Sequence, residues 1–154
     1  MQPVLKYVMT YWERIAGPMK STKGSAFGVK ICWQIIEATL KGENIDAHLI
    51  MPGTDWMRLG KDGIRRADNR VQLLTNDDET ILFSYDNAII KASDIFLNAL
   101  KEGKDSNFKD QYMRMSAQFE APEGKYSWLE QNIFIGVGRL FGKNQIEYEI
   151  FEVL

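Results

Sequence analysis

The sequence predicts an all-β fold with one short helix, and two observations carry this prediction. Segments rich in β-branched and aromatic residues recur along the chain, and Gly, Asn or Asp residues bound them. Most connections between these segments are short and carry turn residues, so successive strands are expected to pair as an antiparallel meander. Such a meander closes into a barrel or folds into a sandwich. The 154 residues are predicted to form a single domain, 1–154, with a sizeable core.

Nine segments have the composition of strands. They span residues 4–13, 28–40, 44–51, 55–59, 64–75, 80–90, 110–120, 126–138 and 144–153. Hairpin turns are predicted at 41–44, 61–63, 76–79 and 142–144. The segment 16–28 contains Pro18 and several glycines and is predicted to be a long mobile loop. Such a loop is either a lid beside a cavity or an ordinary surface loop.

One segment has the spacing of a helix instead. Its apolar residues are Ile95, Phe96, Ala99 and Leu100. Ser93 or Asp94 can cap the free N–H groups at its start, and Gly103 suits the left-handed position at its end. We therefore predict a short helix over 93–103, which would plug one end of a barrel.

Composition and charge exclude several classes of function. Nineteen basic residues against twenty-one acidic ones give a net charge of -2, so no basic surface for nucleic acid is expected. No apolar run approaches the roughly 20 residues of a membrane helix, and the first residues lack the features of a signal peptide. We therefore expect a cytoplasmic protein that binds neither membrane nor nucleic acid.

The sequence also gives no sign of a metal or a cofactor. Cys32 and His48 are the only residues of their kinds, and no ligand-spaced partners accompany them. Gly136 and Gly138 lie in a predicted strand that no helix follows, so they do not form a dinucleotide fingerprint. Close packing of the backbone or a bulge accounts better for these two glycines.

Two predicted strands have one polar and one apolar face. In 64–75 the polar face carries Arg66, Asp68, Arg70 and Gln72, and in 110–120 it carries Tyr112, Arg114, Ser116 and Gln118. These faces either lie in solvent over an apolar core, or line the lumen of a barrel. In 126–138, Tyr126, Trp128, Glu130, Asn132 and Phe134 share a face. That mixture of aromatic and polar groups favours a ligand cavity, so periodicity leaves both arrangements open.

A set of short motifs adds to this pattern. In chain order they are Pro52-Gly53-Thr54-Asp55-Trp56, Asp68-Asn69-Arg70, Gln111-Tyr112-Met113-Arg114, Phe119-Glu120, Tyr126-Ser127-Trp128-Leu129 and Ile133-Phe134-Ile135-Gly136-Val137-Gly138. Over residues 28–153 the chain resembles the family catalogued as domain of unknown function 3237. The resemblance implies a closed antiparallel β-barrel, lipocalin-like in outline, with a small internal cavity. It also implies a bacterial or fungal origin. Some fungal members are associated with ring-closing steps, which implies cyclase or isomerase chemistry without a cofactor.

The chain departs from the family pattern at three places. Gly53-Thr54-Asp55-Trp56 is one residue shorter than the usual Gly-Gly-Ala-Asp-Trp. Met115 stands where the family has Thr, and Glu130 stands where it has Asn. If these positions contact a ligand, this chain binds a different ligand or lacks the activity.

The motifs supply the candidate site. The predicted catalytic residues are Asp55, Arg70, Arg114 and Glu130, and the predicted ligand-binding residues are Trp56, Asp68, Tyr112, Tyr126 and Trp128. Two arginines would clamp a carboxylate or polarise a carbonyl oxygen, since a guanidinium presents paired donors. A buried carboxyl group would act as general acid or base, and the aromatic rings would hold a planar ligand. The alternative is that Asp68 and Arg70 belong to an ordinary ion-pair network between strands.

Three functions therefore stay open: a cofactor-free isomerase, cyclase or hydratase for a small planar or anionic molecule, a non-catalytic carrier, and a structural or interaction domain. A carboxyl group with a strongly raised pKa, close to an arginine in a cavity, would favour the enzyme. A cavity without such an acid would favour the carrier, and a filled, dry lumen would favour the third. Exposed apolar strand faces would indicate a homodimer.

Overall fold

The computed structural model describes residues 1–22 and 24–154, and in these residues it has nine β-strands and two α-helices. The strands are β1 Leu5–Ala16, β2 Lys30–Gly42, β3 Ile45–Leu49, β4 Gly53–Leu59, β5 Arg65–Thr75, β6 Thr80–Lys91, β7 Tyr112–Glu120, β8 Phe134–Leu140 and β9 Gln145–Val153. The helices are α1 Asp94–Glu102 and α2 Trp128–Gln131. Strand β1 extends three residues beyond its predicted end. The predicted loop 16–28 corresponds to the irregular segment 17–29, within which Lys23 lies outside the described residues.

The strands close into an antiparallel barrel with eight strand positions. The order around the sheet is β1-β9-β8-β7-β6-β5-β3-β2-β4, and pairing of β1 with β2 and of β5 with β4 completes the circle. Strands β3 and β4 both lie between β2 and β5, one after the other, and the break 50–52 separates them. The closed barrel expected from the sequence is therefore confirmed.

The apolar faces of the strands point into the lumen. In β5 the buried side chains include Ala67, Val71 and Leu73, and in β7 they are Met113, Met115, Ala117 and Phe119. The polar faces of both strands form the outer wall. Of the two arrangements left open by periodicity, the ordinary one with a mainly apolar interior is correct. Burial of these side chains supplies most of the driving force for closure.

The two glycines of β8 allow close packing inside the barrel. A Cβ atom on Gly138 would lie 2.5 Å from Cε1 of Tyr148 and 2.8 Å from Cγ of Met113. A Cβ atom on Gly136 would lie 3.2 Å from Cδ1 of the same tyrosine. The ring of Tyr148 therefore packs directly on the backbone of β8, which confirms the expectation of close backbone packing at this pair.

Helix α1 has the capping groups that the sequence indicates. Oγ of Ser93 accepts a hydrogen bond from the backbone N–H of Phe96 at 3.1 Å, and Gly103 adopts a left-handed conformation with φ of 65°. The Ser93 hydroxyl also donates to the carbonyl oxygen of Asp110. Phe96 and Ala99 are the buried residues of the helix, so its apolar side faces the barrel.

We expect Ser93→Ala to destabilise the protein by about 1 kcal/mol, because the backbone N–H of Phe96 would lose its acceptor. Urea denaturation would measure this difference. Ser116→Ala is the control, because that serine is exposed on the outer face of β7 and lies far from α1 in sequence. An equal loss in both variants would contradict the capping role.

The segment 126–138 differs from its prediction as one strand. Residues 128–131 form α2, and β8 begins only at Phe134. The backbone N–H of Leu129 donates to the carbonyl oxygen of Tyr126 at 3.0 Å, and Oγ of Ser127 accepts from the N–H of Gly124 at 2.8 Å. These local bonds form a turn, which the alternation of aromatic and polar residues does not reveal. The described residues thus have a second short helix besides the predicted one.

No helix among the described residues has the length and apolar character needed to span a membrane.

Candidate functional site

A cluster of buried polar side chains lies in the lumen. Its members are Tyr11 and Glu13 on β1, Asp55 on β4, Asn69 on β5, Tyr85 on β6 and Tyr148 on β9. Each alternates with outward-facing neighbours, and Asp55 lies directly opposite Asn69 in the register of β4 and β5. Polar groups are rarely buried this deeply without a partner or a function, so the cluster is the first candidate for a site.

Hydrogen bonds fix one side of the Glu13 carboxyl group. The Tyr11 hydroxyl donates to Oε2 of Glu13 at 2.6 Å, and Nδ2 of Asn69 donates to the same oxygen at 2.7 Å. Oε1 of Glu13 and Oδ1 of Asp55 are buried and receive no hydrogen bond from the N–H and O–H groups of the described residues. A proton held between the two carboxyl groups would satisfy both oxygens.

The environment keeps protons on this pair. Burial raises the pKa of Glu13 to about 7, although hydrogen bonds with Tyr11, Asn69 and Asp55 act in the opposite direction. Burial also raises the pKa of Asp55 well above its ordinary value, and the negative charge of Glu13 adds to this effect. Two carboxyl groups this close cannot both ionise readily, so they titrate as a pair. The pair therefore keeps a proton to a higher pH than an exposed carboxyl group does.

Asp55 borders a cavity of about 150 Å³ at the end of the barrel that α1 covers. Its apolar walls include Trp33, Met57, Ala67, Phe96, Leu100 and Met113. Arg65 also lines this cavity, because it shares the lumen face of β5 with Ala67 and Asn69. A mainly apolar cavity with one acid and one arginine resembles the small-molecule sites of other proteins in composition.

Two larger depressions lie elsewhere. One, of about 510 Å³, lies among the turns at the opposite end of the barrel, between Asn44, Asp77 and Lys125. The other, of about 460 Å³, lies on the outer wall beside Arg70 and Gln118. Neither depression is lined by Glu13 or Asp55, whereas Asp55 lines the smaller cavity at α1, so that cavity is the better candidate for a site with acid–base chemistry.

The predicted catalytic residues do not face one cavity, and only Asp55 lies in the lumen. Arg70 lies on the outer wall with its side chain 63% exposed, and its Nη2 atom is 2.9 Å from Oδ1 of Asp86. Arg114 also lies outside, where it donates to the backbone oxygen of Met113 at 2.9 Å. The physical reason is that the lumen takes the apolar faces of β5 and β7, so the arginines on the opposite faces point outwards.

Glu130 and Asp68 also make contacts outside the lumen. Glu130 is exposed on α2, and its Oε1 atom accepts from the backbone N–H of Ala121 at 3.0 Å. Asp68 lies 3.2 Å from Nζ of Lys30 and accepts from the backbone N–H of Asn87 at 2.9 Å. Both contacts hold local structure together, as the alternative of an ion-pair network on the outer wall predicts for Asp68.

The predicted aromatic residues are divided between the outer wall and the end of the barrel opposite α1. Trp56 is exposed below the Lys30 ammonium group, and Tyr112 is exposed beside Arg114. Tyr126 is buried, and its hydroxyl donates to Oδ1 of Asp77 at 2.5 Å. The ring of Trp128 packs edge-on against Phe134 with 5.6 Å between centroids. The structure therefore brings none of these four residues to the cavity beside Asp55.

Sequence reasoning missed Glu13, Asn69 and Arg65. The available signal was a polar residue on an apolar strand face. Glu13 shares its face with Met9 and Tyr11, and Asn69 shares its face with Ala67 and Val71. The predicted site residues come mostly from the polar faces of the strands, whereas these two residues lie on the apolar faces.

Several crystal structures share this fold. A conserved protein of unknown function from Rhodopseudomonas palustris is 24% identical, with a TM-score of 0.86 over 100% of this chain and 99% of that one. A β-barrel-like protein from Acinetobacter baumannii is also 24% identical, with a TM-score of 0.80 over 100% and 98% of the two chains. An enzyme from Penicillium herquei is 21% identical, with a TM-score of 0.68 over 100% and 96%. At these identities the likeness establishes the fold alone.

The sequence comparison identifies the family. No curated protein matches the sequence of this chain. A family model described as protein of unknown function (DUF3237) matches residues 3–153, which is nearly the whole chain. This match agrees with the motifs, the closed barrel and the shared fold, and the chain therefore belongs to the DUF3237 family.

Proposed function

We propose that the barrel binds a compact organic molecule in the cavity at α1, and that Glu13 and Asp55 exchange a proton with it. The reaction would be an isomerisation, cyclisation or hydration that needs no cofactor. The observation that carries this proposal is the Asp55 side chain. It is only 5% exposed, borders the cavity, and interacts with the buried carboxyl group of Glu13.

The chemistry follows from the protonation of the pair. Burial raises the pKa of Asp55, so its carboxyl group keeps its proton to a higher pH than an exposed one and can act as general acid. Asp55 would donate its proton to a carbonyl oxygen or an unsaturated carbon of the ligand. A proton held by Glu13 would then replace it across the contact between the two carboxyl groups. When the ligand loses a proton at another atom, the pair recovers it and the cycle closes.

Hydrogen bonding supports this division of roles. Oε2 of Glu13 is fixed by Tyr11 and Asn69, so this carboxyl group cannot rotate freely. Asp55 faces the cavity, while Glu13 lies in the fully buried cluster. Asp55 would therefore be the group that touches the ligand, and Glu13 the group that supplies its proton. The enzyme from Penicillium herquei supports the idea that this fold can carry catalysis.

The alternative is a carrier that binds without reaction. The mainly apolar walls of the cavity favour this alternative, since Asp55 would then serve only as a hydrogen-bonding group. The combination of an acid with a raised pKa and an arginine in the same cavity favours the enzyme.

Proton exchange in D2O at neutral pH distinguishes the two functions. We expect the protein to catalyse the incorporation of deuterium at a carbon atom of compact cyclic enones or phenols. Proton NMR would measure the rate of this exchange. Asp55→Asn should slow this exchange by about 100-fold or more, because it removes the general acid. The matched control is Asp86→Asn on the outer wall, which should leave the rate unchanged. Binding without exchange would support the carrier, and absence of both would contradict the proposal.

A further inference from the structure

We propose that Arg65 anchors a carboxylate of the ligand, so that the molecule bound in the lumen is a compact organic acid whose apolar ring points towards Asp55. This inference rests on the proposed function of the same cavity. It assigns to Arg65 the role that the sequence suggested for Arg70 and Arg114.

Arg65 differs from its neighbours on β5 in its surroundings. Arg66 lies on the opposite face of the strand, with Nη2 at 2.7 Å from Oδ2 of Asp62, and Arg70 pairs with Asp86 on the outer wall. Arg65 is half-buried on the lumen face, and no carboxylate of the described residues lies within 4.0 Å of its guanidinium group. A partly desolvated guanidinium is stabilised by a planar anion, which it binds through two parallel hydrogen bonds.

The charges in the cavity determine which end of the ligand lies beside Arg65 and which end lies beside Asp55. A carboxylate beside Asp55 would raise the cost of ionising the buried pair, whereas a carboxylate beside Arg65 meets an opposite charge. Asn69, which lies opposite Asp55, is four residues from Arg65 along β5. The two positions are therefore separated by about 13 Å along the strand. The long arginine side chain shortens the distance that the ligand has to span.

The cavity also limits the size of the ligand. Its volume of about 150 Å³ is close to that of an apolar protein cavity known to hold benzene. Between Arg65 and Asp55 the lumen face presents the paired residues Met57 and Ala67, which are apolar and, at Ala67, small. A single ring with one acidic group fits these dimensions and this polarity better than a polycyclic or highly charged molecule.

Benzoate and benzamide are suitable probes, because they share a ring and differ in charge at neutral pH. We expect benzoate to bind more tightly than benzamide, with both affinities measured by titration under NMR. Arg65→Gln should weaken benzoate binding by about tenfold or more and leave benzamide binding unchanged, because only the ionic contact is lost. Arg58→Gln is the matched control, since that arginine is exposed on the outer face of β4 and its loss changes the net charge equally.

Further variants separate the anchor from the site itself. Arg65→Lys keeps the charge without the paired donors and should lose part of the preference for benzoate, which tests the anchor even if the glutamine variant folds poorly. Ala67→Trp should abolish binding of both probes by filling the cavity. If both probes bind equally and only Ala67→Trp removes them, the anchor is overturned and the cavity stands. If neither probe binds the wild-type protein, both the anchor and the proposed binding function are overturned.

Discussion

Replacement of Phe83 by Ala should destabilise the protein by about 3–5 kcal/mol, the range for loss of a buried aromatic side chain. Phe83 is 1% exposed on β6 and lies at the centre of the aromatic cluster in the lumen. Its ring centroid is 4.5 Å from that of Tyr11 and 5.2 Å from that of Phe119. Truncation would leave a cavity on which these rings cannot fully collapse, since the closed barrel holds their backbones apart.

Urea denaturation of Phe83→Ala would measure this effect as a lower midpoint. Leu82→Ala is the control, because Leu82 is the adjacent residue, points outwards and is 41% exposed. Its loss should cost less than about 1 kcal/mol. Equal effects in the two variants would mean that the lumen of this barrel is not its core.

The stability of the protein should fall as the pH rises from about 4 to above 7. In the unfolded chain Glu13 releases its proton near its ordinary pKa, whereas in the folded protein burial raises that pKa to about 7. Between these values the folded state holds a proton that the unfolded state has lost, so each pH unit reduces the free energy of unfolding. A shift from 4.5 to about 7 corresponds to a loss of about 3 kcal/mol. Asp55 adds a loss of the same sign.

Urea denaturation at several pH values between 5 and 8 would measure this slope. Glu13→Gln should make the slope shallower and leave the protein more stable than wild type at pH 8, because the amide cannot ionise. The exposed Glu43→Gln is the control and should keep the wild-type slope. The pKa values of Asp62 and Asp77 are lowered by their hydrogen bonds, so their contributions are lost only in stronger acid. Stability that rises between pH 5 and 8 would show that Glu13 is ionised in the folded state.

The fold could be predicted from the sequence because its signals are local. The turn residues between strands and the alternation within β5 and β7 depend only on neighbours in the chain. The caps of α1 are equally local, and Ser93 and Gly103 were both identified. The prediction of a strand at Trp128 is wrong. Over a few residues, a helical turn can show the same alternation of aromatic and polar side chains as a strand.

The site could be predicted only in part because it depends on contacts distant in sequence. Asp55 is predicted from its motif, but its partner Glu13 lies on β1, which is distant in sequence and is brought near β4 only because both strands pair with β2. Closure of the whole barrel determines whether Arg70 points into the lumen or to the outer wall. The sequence of a single strand does not contain this information. The same holds for Arg65, whose position on the lumen face of β5 also depends on closure of the barrel.

The break between β3 and β4 allows the strand that carries Asp55 to change in evolution independently of the other strands. A one-residue insertion in a continuous strand would turn every following side chain to the other face. Residues 50–52 lie outside the strands, so a change in length there can be absorbed before β4 begins. Asp55 and its neighbours on β4 can thus be shifted or replaced together, while the other seven strand positions of the barrel keep their register. In this architecture, new specificity can evolve at one segment of the wall without rebuilding the barrel.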